Sequence, residues 1–102
     1  MELSREAQVL FSHKRFIIAT ILYLRGSLTM ARLKEATGLT WGDLDSNLRY
    51  LSRHGLVRME KKITRRGPRT LVSMTERGVE AYRELAAFLR SHINRDTGES
   101  AG

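Results

Sequence analysis

The sequence predicts a mainly α-helical fold of the α+β class, with one small β-hairpin followed by a long C-terminal helix. Three observations carry this. Apolar residues recur at helical spacing through most of residues 4–54 and again through 76–94. Strict alternation occurs in only two neighbouring stretches, LVRMEKKI and TLVSM, separated by a turn-forming segment. A chain of 102 residues that is 41% hydrophobic and 28% charged has material for one modest core, hence one domain, taken here as residues 1–94.

Residues 4–11, SREAQVLF, read as a short helix with Ala7, Leu10 and Phe11 along one edge. Ser12 is the expected N-cap of a helix over 12–25, in which Phe16, Ile17, Thr20, Ile21 and Leu24 follow helical spacing until Arg25-Gly26 ends the run. Ser27-Leu28 is a brief extended link. Thr29 caps a helix over 29–37 with Met30, Leu33 and Ala36 inward, and Gly38 stops it. Thr40 and Asp43 have capping-box spacing at the head of a helix over 40–54, whose Leu44, Leu48 and Leu51 face the core. The last two helices, joined by Thr37-Gly38-Leu39-Thr40, have helix-turn-helix spacing.

The alternating segments place Val57, Met59 and Ile63 on one face and Arg58, Glu60 and Lys62 on the other, with Val72 and Met74 matching from the second strand. The hairpin spans 56–75, and its connection is TRRGPR, with Gly67-Pro68 at the tip as hinge and stiffener. Thr75-Glu76-Arg77-Gly78 opens the last helix, expected over 76–94, and residues 95–102 form a polar, frayed tail.

The net charge is +7, and its placement is informative. Residues 49–69 hold eight basic residues against Glu60 alone, while the rest of the chain has ten of each sign. The whole excess therefore lies in one fifth of the sequence, where it would attract a polyanion by counterion release. The competing reading of such a cluster is a solvated charge run. With no cysteine there is neither a disulfide framework nor a thiolate metal site. His13, His54 and His92 show no ligand spacing, so no metal and no cofactor is expected. Asp43 and Asp45 are paired carboxylates with no histidine or further acid converging on them, so no enzyme is expected either. No apolar run approaches a membrane span, and the start, MELSREAQVL, lacks a secretory-signal layout. A cytoplasmic, nucleoid-associated protein is the expectation.

In order, LKEATGLTWGDLDSNLRYLSRHGLVRMEK and RRGPRTLVSMTERGVEAY resemble the winged helix-turn-helix family, and among its members the MarR- and ArsR-like regulators common in prokaryotes. The resemblance covers about Phe11 to Ile93. It implies a three-helix core, a two-stranded wing (56–75), a recognition helix (40–54), a C-terminal dimerisation helix (76–94) and an N-terminal extension (1–11). It also implies duplex DNA as partner and a homodimer; a small-molecule effector stays open.

Wound with its three leucines inward, the recognition helix presents Gly42, Ser46, Arg49 and Arg53 outward, with Asp43, Asp45 and Tyr50 at the flanks. Gly42 and Ser46 allow close approach to base edges, Arg49 reaches guanine or phosphate, and Arg53 meets the backbone. Asp45 is read as keeping clear of phosphates in preference to accepting from cytosine. Asn47 ranks below Ser46. Thr40 and Trp41 lie at the helix head, where core packing is favoured for Trp41. Arg65, Arg66 and Arg69, with Gly67, form the wing contact, and Lys61, Lys62 and Thr64 lie along it. For the dimer, Leu10, Val79, Tyr82, Leu85, Ala86, Phe88, Leu89 and Ile93 are the candidate interface. Two other functions compete with a sequence-specific regulator. One is an architectural DNA binder with weak sequence preference; the other is a winged-helix module whose hairpin contacts protein.

Overall fold

Hydroxyl side chains start four of the five helices in the computed structural model, which describes residues 2–101, the side chains of 94–101 excepted. Ser4 accepts from the Ala7 amide at the head of α1 (Arg5–Leu10), and Thr29 accepts from Arg32 at the head of α3 (Met30–Thr37). Thr40 accepts from Asp43 to open α4 (Trp41–Arg53), and Thr75 accepts from Gly78 to open α5 (Glu76–Ala101). Each satisfies one amide that the helix cannot pair itself. The exception is α2 (His13–Arg25). Ser12 occupies its N-cap position without making a side-chain cap.

The strands are β1 (Leu28–Thr29), β2 (Val57–Thr64) and β3 (Gly67–Met74), in antiparallel order β1-β3-β2. The sheet is thus three-stranded, not a bare hairpin. The link at Leu28–Thr29 pairs with Val72 and Leu71 and ties the wing's base to the helix-turn-helix.

One core joins these elements. Leu44, Leu48 and Leu51 are buried beneath α4, and Leu33, Leu56, Val72 and Leu85 close around them. From α2 the fully buried residues are Ile18, Ala19 and Leu22, while Leu24 is 72% exposed. That helix is apolar nearly all round, so spacing alone does not choose its inward stripe. In α1 the buried residues are Ala7, Val9 and Leu10, and Phe11, beyond its end, turns outward.

Of the candidate interface, Leu10 and Leu85 are fully buried in the chain's own core and present no surface to a partner in this fold. The short α1 supplies the cover, lying against α5 with the Ser4 amide and hydroxyl both donating to the Glu84 carboxylate, at 2.6 and 2.7 Å. Tyr82 is also engaged internally. Its ring stacks on Phe16 and Tyr23, and its hydroxyl donates to Thr20 Oγ1 at 2.9 Å.

Two ends differ from expectation. Helix α5 continues past Asn94 to Ala101, since no proline interrupts its backbone ladder and Gly98 alone costs only about 1 kcal/mol. The hairpin turn is formed by Arg65 and Arg66, while Gly67-Pro68 begins β3, Thr64 pairing Gly67 and Ile63 pairing Pro68. Every non-glycine residue with a defined conformation has negative φ, and Gly67 has φ +98°. Arg65 and Arg66 thus form a two-residue turn with negative φ at both positions, and the one-to-one register runs up to Thr64 and Gly67, which leaves the arginines at the apex. The alternation of β2 is as expected, but Ile63 is 85% exposed because the hairpin projects beyond the core after Met59.

Candidate nucleic-acid interface

Between α3 and α4 the chain turns at Gly38, in the left-handed region at φ 72°, and buries Leu39 before Thr40 restarts the helix. This short connection starts α4 directly after α3, and α4 packs on α2 and β2 with its polar side to solvent. Gly42, Ser46, Arg49 and Arg53 are all exposed. Asp45 accepts from Arg49 Nε at 2.9 Å, one turn later on the same helix. An exposed pair at this spacing contributes only about 0.3–0.5 kcal/mol, enough to orient the guanidinium without locking it.

The flanking residues are more committed. The Asn47 amide donates to the Asp43 carbonyl at 2.7 Å, whereas the Ser46 hydroxyl reaches that oxygen only at 3.5 Å. Tyr50 is half-buried, with the Arg15 guanidinium 4.5 Å from its ring centre, Arg53 at 5.9 Å and the His54 ring at 4.5 Å. Trp41 lies in the open, 52% exposed, with the Lys34 ammonium 5.5 Å from its ring. It does not enter the core, because Leu39 and Leu44 already fill the space at the head of α4.

Three basic residues outside the 49–69 cluster thus arrive at α4. Lys14 bridges Asp43 at 2.8 Å, Arg15 covers Tyr50 while donating to the Val9 carbonyl, and Lys34 covers Trp41. The Lys14 bond, followed by the Thr40 hydroxyl, holds the Asp43 carboxyl below its ordinary pKa. The only sequence hint was the basic run His13-Lys14-Arg15 at the start of α2, whose proximity to α4 is a tertiary fact.

Gly55 leads from α4 directly into the wing. Lys61, Lys62, Thr64, Arg65, Arg66 and Arg69 are all exposed, and Gly67 is half-buried. The Thr64 hydroxyl donates to the Gly67 carbonyl at 2.7 Å and accepts from the Arg66 amide at 3.2 Å, which rigidifies the apex. Arg69 donates to the Pro68 carbonyl at 2.9 Å. Such a tip loses little entropy when its arginines meet an anion. Among the described residues no group of three or more His, Asp or Glu side chains is placed to hold a metal ion.

A helix-turn-helix with a free polar face, followed at once by a rigid arginine-rich hairpin, defines a DNA-binding domain of the winged type. Residues 14–93 match the family described as winged helix DNA-binding domain, and the chain belongs to that family. A transcriptional regulator homologue from Pyrococcus horikoshii OT3 is 33% identical, with TM-score 0.79, the match covering 85% of this chain and 86% of that one. A protein of Enterococcus faecalis V583 assigned to the MarR family of transcriptional regulators has TM-score 0.82 at 19% identity, over 95% and 87% of the two chains. The PcaV transcriptional regulator from Streptomyces coelicolor has TM-score 0.70 at 19% identity, over 95% and 65%. These last two show a shared fold. Comparison with curated proteins finds no match.

Proposed function

We propose that this chain is a transcriptional regulator that binds duplex DNA sequence-specifically as a homodimer, with α4 in the major groove and the wing at the minor groove and its phosphates. The observation that carries this reading is the location of the charge. The entire excess of +7 falls on residues 49–69, the end of α4 and the wing, and every basic side chain in that stretch is exposed. Gly42 and Ser46 let the head of α4 approach base edges, and Arg49, oriented by Asp45, follows one turn behind Asp45. The regulator names of the similar structures favour DNA binding over catalysis.

The dimer is supported by apolar side chains left exposed or half-buried among the described residues. Phe11 is 57%, Leu24 72% and Ile93 62% exposed, and Val79, Ala86, Phe88 and Leu89 are only half-buried. A second copy is the natural cover, because a two-fold pair would also set two α4 helices for successive turns of a pseudo-palindrome. Selection from a pool of random duplexes tests the whole reading. A strongly enriched pseudo-palindrome is expected. Binding without enrichment returns the architectural alternative, and absence of salt-dependent binding removes both.

A further inference from the structure

Ile63 is 85% exposed, whereas Leu28, Val57, Met59, Leu71, Val72 and Met74, also on strands, are buried or half-buried. It lies on the same face of β2 as Val57 and Met59, two residue-pairs beyond the last contact with the core. Its cross-strand partner is Pro68, itself exposed, so two apolar side chains stand together near the wing's end. Cations surround them. Arg65 and Arg66 form the apex, Lys61 stands behind on the same face, and Lys62 pairs Arg69 on the opposite face.

We infer that the Ile63–Pro68 pair is an apolar wedge for the minor groove of duplex DNA, seated against its deoxyribose walls while the surrounding cations meet the phosphates. This rests on the DNA-binding reading above and gives a part to a residue that reading leaves unused. The occupant follows from charge and shape together. Residues 61–69 carry five cations and no acid, which suits a polyanion and opposes an apolar partner of neutral or basic surface. The minor groove offers both surfaces at once, carbon-rich walls within and phosphates at the rim. Its width of about 6 Å admits side chains at the end of the wing, with the ribbon itself staying outside the groove. Isoleucine and proline are among the side chains that serve as minor-groove wedges. Because the guanine amino group projects from the groove floor only at G·C pairs, an aliphatic side chain sits more deeply over A·T pairs. Ile63 thereby becomes a specificity determinant acting through exclusion, not hydrogen bonding.

The test compares wild type, Ile63→Thr and Arg66→Ala on alternating A·T and alternating G·C duplexes across salt concentrations. Threonine keeps the β-branch and strand preference, and thermal denaturation confirms that the variant folds. Ile63→Thr is expected to bind the A·T duplex about tenfold more weakly, about 1.4 kcal/mol, with an unchanged salt slope and a reduced preference over G·C. Arg66→Ala is expected to lower the salt slope instead. Wild-type affinity and preference in Ile63→Thr would overturn the inference. So would a change in the free protein's sedimentation with DNA binding intact, which would assign the face to a second copy. Failure of the wild type to bind either duplex is a different result: it removes the DNA-binding reading itself, and the wedge with it.

Discussion

A Cβ placed on Gly78 would collide with the carbonyl oxygen of Leu56, so the first turn of α5 packs backbone to backbone against the entry to the wing. That same oxygen accepts from the Thr75 amide at 3.1 Å, and the Thr75 hydroxyl donates to the Gly55 carbonyl at 2.6 Å. The Thr-Glu-x-Gly run is therefore a clamp between α5 and the wing. Gly78→Ala is expected to destabilise the fold by roughly 1–3 kcal/mol, the range for overpacking against an unyielding neighbour. In thermal denaturation each kcal/mol lowers the midpoint of a domain this size by about 4–8 °C. An unchanged midpoint would contradict the clamp.

The Lys14–Asp43 bridge should make stability pH-dependent in a defined direction. Lys14, then Thr40, lowers the Asp43 carboxyl from its ordinary value of 3.8. A group lowered in the folded state contributes stability that is present above its unfolded pKa and lost as pH falls through the folded one. Lys14→Met should therefore reduce stability at pH 7 and leave it unaltered once the pH lies well below 3.8. Urea denaturation at both pH values checks this. An equal deficit at both would mean that Lys14 acts through packing alone.

Arg49 and the wing arginines should fail differently. Arg49→Ala is expected to erode discrimination between selected and random duplexes by about 1–3 kcal/mol, the usual worth of a base-reading arginine. Asp45→Ala, which frees Arg49 from its 2.9 Å bond, is expected to raise overall affinity and shift preference. Competition binding measures both. Discrimination equal to wild type in Arg49→Ala would place that side chain on phosphate.

For assembly, light scattering at micromolar concentration should give about twice the chain mass of 11.7 kDa. Ile93→Glu, on a side chain 62% exposed, should shift the particle toward a single chain. A wild type already at 11.7 kDa would remove the dimer.

Much of this architecture is legible in the sequence, for identifiable reasons. Leu44, Leu48 and Leu51 declare the inward face of α4 because its other face is polar, and Thr29 and Thr40 cap where their spacing says they should. Alternation locates β2 and β3, and charge location marks the candidate surface. The failures share a cause, the dependence of local pattern on tertiary neighbours. Ile18, Ala19 and Leu22 bury fully, while Phe16 and Ile21 of the expected stripe pack only partly against the core and Leu24 turns outward, because α2 is apolar on several sides. Leu10 and Leu85 go to the core because α1 folds over α5, which no spacing rule reveals. Gly67-Pro68 reads equally well as a turn or as the start of a strand, and the backbone takes the second. Lys14 and Asp43, 29 residues apart, meet only through packing.

The central claim, that the end of α4 and the wing together hold duplex DNA, is tested most directly by the salt dependence of affinity in wild type and in a variant with Arg65, Arg66 and Arg69 all changed to alanine. Each phosphate neutralised contributes about 0.9 to the slope of log affinity against log salt. The wild type should show a steep slope, and the variant should lose about 0.9 for each arginine that meets a phosphate. An identical slope in the two proteins, or a wild type that does not bind duplex DNA, would contradict the account.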